Sequence, residues 1–160
     1  MALRNIFLQH EPILRKICKE VTYFGEHLWQ LLDDMHETLD FRMLELFGAA
    51  NRVGVGLTAN QVGILQNIFI LHNNGKRLEF INPKMIRSEG EVIDIEGCIS
   101  CPNEYGKVKR PQTIEVVAFD RQGNPFSLAL QDLDAVIVCH EMDLLVGKLF
   151  KDIAFDLQTI

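Results

Sequence analysis

Cys139-His140-Glu141-Met142-Asp143-Leu144-Leu145 ends an apolar run that begins at Leu133. Leu133, Ala135, Val136, Ile137, Val138, Met142 and Leu145 suit a buried helix. On such a helix His140 and position 144 stand one turn apart on the same face. A His at 144 would complete His-Glu-x-x-His, in which two imidazoles grip zinc or iron and the Glu acts on a water. The residue at 144 is Leu. The rest of the chain therefore reads as the surroundings of a metal site that lacks one donor.

Size and composition frame that reading. One domain over residues 1–160 is expected, long enough to bury a substantial core. Hydrophobic residues make up 48% and charged residues 24%, a globular balance that argues against disorder. The net charge is −6 and no basic run occurs, so nucleic acid is not an expected partner. No apolar stretch reaches membrane-spanning length. The N-terminal Met1-Ala2-Leu3-Arg4-Asn5 does not read as a signal peptide, which implies the cytoplasm. There Cys18, Cys98, Cys101 and Cys139 are expected as thiols or metal ligands rather than disulfides.

Along the chain, Pro12, Ile13, Leu14 and Ile17 suggest a short helical turn. Leu28, Leu31, Leu32, Met35, Leu39, Met43 and Leu46 follow a helical period over residues 26–47. His27 and His36 read as surface or core-edge histidines, and His72 as a strand-end surface residue. Gly54-Val55-Gly56-Leu57-Thr58-Ala59-Asn60-Gln61-Val62-Gly63 is a glycine-rich loop where something approaches the backbone closely. It fits neither a phosphate loop nor Gly-x-Gly-x-x-Gly. Residues 67–72 and 78–81 read as strands joined at Asn73-Asn74-Gly75, and Asn82-Pro83 as a strand break. Residues 85–95 suggest a strand pair about Gly90. Residues 112–119 and 126–130 follow as strands flanking a turn, and then the helix quoted first. The expected class is α+β, with mostly antiparallel strands around one central buried helix that carries His140 and Glu141.

Three segments, Gly54-Val55-Gly56-Leu57-Thr58-Ala59-Asn60-Gln61, Glu96-Gly97-Cys98-Ile99-Ser100 and His140-Glu141-Met142-Asp143-Leu144, resemble in order and spacing the three motifs of the peptide deformylases. Pro12-x-Leu14-Arg15, Asn82-Pro83, Asp120-Arg121-x-Gly123 and Leu145-x-Gly147-x-Leu149-Phe150 extend the resemblance over nearly the whole chain. The resemblance implies a hydrolase that removes the formyl group from the N-terminal formyl-Met of nascent polypeptides, near the ribosome. It implies a divalent metal, Fe2+ in most members with Zn2+ or Ni2+ possible alternatives, held by one Cys and two His. Carried over by position, Cys98 and His140 are ligands and Glu141 is the general base. Gln61 and the backbone N–H of Ile99 stabilise the oxyanion. Val55, Gly56, Leu133, Val136 and Ile137 surround the formyl group and the Met side chain.

The departure is Leu144, which has no donor atom where the second His belongs. Weakened metal binding and weakened or lost activity are expected, since catalytic sites usually have three protein ligands. Cys101 or Asp143 could replace the missing donor. A catalytically silent protein that binds formylated N-termini is the alternative. The family often continues into a further helix beyond the point where this sequence ends, and Thr58 stands where a small apolar residue is common.

Overall fold

A computed structural model describes residues 2–47 and 55–160. Helix α1 (Glu26–Phe47) precedes strand β1 (Val55–Thr58), the hairpin of β2 (Ile68–Asn73) and β3 (Lys76–Glu89), and the hairpin of β4 (Val92–Cys98) and β5 (Cys101–Arg110). Strands β6 (Thr113–Phe119) and β7 (Pro125–Gln131), helix α2 (Leu133–Leu144) and strand β8 (Phe155–Thr159) complete it. The strands form two antiparallel sheets, one in the order β1-β2-β3-β6-β7 and one in the order β4-β5-β8.

Strand β2 explains how the layers stack. Ile68, Phe69, Ile70 and Leu71 are all buried. A strand sends alternate residues to opposite faces, so an unbroken apolar run means that both faces are covered. Ile68 and Ile70 pack with Leu28, Leu31, Leu32, Met35 and Leu39 of α1. Phe69 and Leu71 pack with Ala135, Val138, Cys139 and Leu145 in and just after α2. The far end of α2 contributes Leu144 to a third cluster with Cys101, Val108, Leu149 and Phe150, which belongs to the smaller sheet. Helix α2 is thus held between the two sheets, and His140 and Glu141 on it are buried.

The period over residues 26–47 gives α1 as expected, though Leu46 ends up exposed near its C-terminus. Leu133 is half exposed, because it opens α2 at the edge of the layer. The β2–β3 turn is the expected one, with Asn74 and Gly75 at φ 51° and 78°. Asn82-Pro83 does not end its strand: β3 continues through a register shift between Ile81 and Lys84, and Asn82 adopts φ 51°. Gly90 joins strands of different sheets rather than a hairpin. Strands β5 and β8 have no counterpart in the sequence reading.

Asn82 also ties down the N-terminal segment. Its Oδ1 accepts the Val21 N–H at 2.8 Å and its Nδ2 donates to the Val21 carbonyl at 2.9 Å, in buried surroundings. Asn82→Ala is expected to cost about 2 kcal/mol in urea denaturation, because it leaves two backbone groups unpaired and strains a left-handed residue. Asn82→Gly relieves the strain alone and should recover only part of that loss.

Candidate active site

Glu141 lies at the centre of the site, 4% exposed, with Oε2 buried and without a hydrogen-bond partner. Burial pushes its carboxyl up to about 7, against the pull of His140 and with a further push from Glu96. Gly56 makes room for it: a Cβ there would stand 2.7 Å from the Glu141 carboxyl carbon. The close approach expected at the glycine loop is therefore that of a carboxylate on α2.

His140 is oriented by a buried chain of charge. Its Nδ1 lies 2.8 Å from Glu96 Oε1. Arg110 grips the same carboxylate with two N–H groups, Nε to Oε2 at 2.8 Å and Nη2 to Oε1 at 2.9 Å. Arg110 Nη1 donates to Asp143 Oδ2 at 2.6 Å. Burial alone would raise the Glu96 carboxyl, but the Arg110 and His140 hydrogen bonds outweigh it and hold it below the usual range. An ionised carboxylate only accepts, so His140 carries its proton on Nδ1 and leaves Nε2 for a ligand or substrate. Burial opposes charge on His140 too, yet Glu96 raises its pKa.

The glycine loop supplies the second wall. Gln61 is buried, and its Oε1 accepts the Thr58 N–H at 3.0 Å. Its Nε2 donates to Ser100 Oγ at 2.9 Å and lies 3.6 Å from Cys98 Sγ. Ser100 Oγ in turn donates to the Phe7 carbonyl at 2.7 Å. Thr58 Oγ1 donates to Asn60 Oδ1 at 2.6 Å, and Asn60 Nδ2 donates to the Leu144 carbonyl at 2.9 Å. The loop is thereby bolted to both the Cys98 turn and the end of α2. Ile99 sits in the turn beside Cys98. The Cys101 thiol hydrogen-bonds that of Cys98 and, together with burial, raises the Cys98 pKa well above its ordinary value.

The structure thus brings Gln61, Cys98, His140 and Glu141 into one region, with Gly56 beneath Glu141. Val136 is buried, Val55 and Ile137 are partly buried, and Leu133 borders solvent. Glu96 stood in a quoted motif without a role, and Arg110 was not singled out at all; an Arg at the end of a strand carries no local signal. His72 differs from expectation as well. It lies 2.7 Å from His36, which lies 2.8 Å from Glu79, in a network with Asp40, Arg77 and Arg121.

Cys98 and His140 do not make a three-donor metal centre with the side chains around them. Leu144, 1% exposed, has no donor atom and packs with Cys101, Val108, Leu149 and Phe150. Asp143 is occupied by Arg110, and Cys101 is paired with Cys98. Among the described residues no three His, Cys, Asp or Glu side chains converge as a metal site would require.

Glu141 gives this centre a pH signature. The folded state keeps its proton to about pH 7, whereas an ordinary Glu releases it near 4.5. Folding therefore loses stability as pH rises from about 4.5 to 7, and the full cost is present above 7. Glu141→Gln should gain on the parent protein across that window, by roughly 2–3 kcal/mol between its two ends. Urea denaturation of both proteins at intervals from pH 4 to 8, with chelator present, checks the slope; parallel curves would show that Glu141 titrates normally.

Residues 3–159 match the family model for polypeptide deformylase. The chain is 45% identical over 152 residues to the peptide deformylase of Caldicellulosiruptor bescii, covering 95% of this chain and 86% of that protein. It is 43% identical over 152 residues to that of Caldanaerobacter subterraneus, covering 95% and 89%. Among solved structures, the peptide deformylases of Legionella pneumophila and Thermotoga maritima both superpose with a TM-score of 0.86, at 35% and 30% identity. These alignments cover 97% of this chain and 88% and 99% of those. Sequence and fold agree over the same span, and the chain belongs to the polypeptide deformylase family.

Proposed function

We propose that this protein engages the formyl-Met N-termini of newly made polypeptides in the centre around Glu141, and that hydrolysis of the formyl amide there is weakened or lost because Leu144 stands at a ligand position. The observation that carries this reading is the contrast at that centre. Gln61, Cys98, His140 and Glu141 are all present with their supporting hydrogen bonds, while position 144 is apolar. The family typically uses a divalent metal, and the donor set here predicts weak retention of Fe2+, Zn2+ or Ni2+.

The chain's own groups support recognition. Glu141, titrating near neutrality, can hold or release a proton at its unpartnered Oε2. Gln61 Nε2 and the Ile99 N–H are the donors assigned to the formyl oxygen. Val55, Gly56, Leu133, Val136 and Ile137 are the residues assigned to the Met side chain. We assign the whole of residues 1–160 to this one domain, working in the cytoplasm beside the ribosome. No helix among the described residues is long and apolar enough to cross a membrane.

Calorimetric titration with a short formyl-Met peptide and its unformylated twin, both with chelator, tests the recognition. Binding at least about tenfold tighter to the formylated peptide is expected. Equal affinity for the two would overturn it.

A further inference from the structure

The mechanism leaves Cys101 without a task, and the fold places it directly opposite Cys98. Strands β4 and β5 meet in a two-residue turn, Ile99-Ser100, with Cys98 and Cys101 as facing partners. Residues directly opposed in an antiparallel pair have Cα atoms about 4.5–5.5 Å apart, within the span of about 4.4–6.8 Å that a disulfide bridges. Side chains of such a pair point to the same face. Accordingly Cys101 belongs to the cluster of Val108, Leu144, Leu149 and Phe150, and Cys98 packs against that same cluster. Cys98 is half-buried, whereas Cys101 is 1% exposed. Cys98 is thus the more exposed residue of the pair and the first placed to meet an oxidant.

We propose that Cys98 and Cys101 form an oxidisable dithiol, which a peroxide converts to an intramolecular disulfide. In the first step the Cys98 sulfur attacks one peroxide oxygen. An S–O bond forms, the O–O bond breaks, and water leaves, giving the sulfenic acid. In the second step the Cys101 sulfur attacks the Cys98 sulfur. The S–S bond forms, the S–O bond breaks, and the departing hydroxide takes the Cys101 proton as a second water. The two thiols together lose two electrons and two hydrogens, and the peroxide is reduced to water. Two consequences follow for the site. Oxidation removes the Cys98 thiol from the centre beside Gln61 and Glu141. It also stops Cys98 at a reversible stage, short of the sulfinic acid. Cys18 and Cys139 pack in the other layer, against the five-stranded sheet, away from the cluster that holds Cys98 and Cys101, so neither is placed to resolve Cys98.

The test treats the reduced full chain with hydrogen peroxide and follows intact and peptide masses. The parent protein should lose two hydrogens within the peptide spanning Cys98 and Cys101, and dithiothreitol should restore them. Cys101→Val, an apolar residue suited to a strand start in this cluster, should abolish that species, and Cys98 should instead gain two or three oxygens. Cys101→Ala serves as the second variant if the Val protein melts well below the parent. Oxygen gain at Cys98 in the parent protein, at the rate seen in the variants, would overturn the proposal. So would a disulfide that involves Cys18 or Cys139.

Discussion

Leu144→His is expected to raise formate release from a short formyl-Met peptide by about 100-fold or more when nickel is supplied to both proteins. The backbone at 144 is tied in place, because Asn60 Nδ2 donates to the Leu144 carbonyl and Leu144 is the last residue of α2, one turn beyond His140. A side chain placed there enters the cluster against which Cys98 also packs. The same substitution should be visible without any turnover. An imidazole in the place of a side chain only 1% exposed leaves polar nitrogens among carbon, so the chelated variant should lose about 1–3 kcal/mol of stability. Added nickel should restore that loss and more, since a ligand bound only by the folded state stabilises it as concentration exceeds the dissociation constant. The parent protein should respond little. Equal turnover of the two proteins would mean that another donor, with Cys101 first in line, serves the metal. A variant that binds nickel tightly and stays inactive would place the silence outside position 144.

How much of this was legible in the sequence depends on range. The helix over residues 26–47, the Asn74-Gly75 hairpin and the helix from Leu133 are local signals: a repeat of apolar residues, a pair of turn residues, an unbroken apolar run. They emerge with nearly the expected bounds. The motif residues were recognisable because their order and spacing are retained. What the sequence hides is set by pairing over distance. Strand β5, Cys-Pro-Asn-Glu-Tyr-Gly-Lys-Val-Lys-Arg, has almost no alternation of apolar residues, and it is a strand because β4 and β8 flank it. Asn82-Pro83 reads as a break, since nothing local shows that Val21 will satisfy the Asn82 side chain. His36, His72 and Glu79 come from a helix and two strands, and only the packed layers bring them within hydrogen-bonding distance. In the candidate site the groups aimed at chemistry were found and those that hold them were not. Glu96 and Arg110 are named by no spacing rule, yet His140 depends on both.

Arg110→Met is expected to cost about 3–5 kcal/mol at pH 7, the largest loss of stability among these substitutions. Glu96 and Arg110 side chains are 5% and 4% exposed, and Arg110 supplies two of the hydrogen bonds that the Glu96 carboxylate accepts. Removing the guanidinium leaves a buried anion with His140 as its remaining partner, and frees Asp143 from its ion pair. The pH dependence separates this cause from simple loss of packing. In the parent protein the folded pKa of Glu96 lies below 4.5, so its contribution is present above that value and is lost as pH falls through the folded one. Without Arg110 the carboxyl should titrate higher, and the folded state then takes up a proton where the parent does not. The deficit of the variant should therefore be greatest near neutrality and shrink as the pH is lowered through 4.5. Glu96→Gln in the Arg110→Met background removes the stranded charge, and the double variant should regain at least about 2 kcal/mol of the single variant's loss. A deficit that is constant from pH 7 to pH 4, with no recovery in the double variant, would mean that Arg110 contributes through its aliphatic stem and that the charge chain behind His140 is not what sets its place.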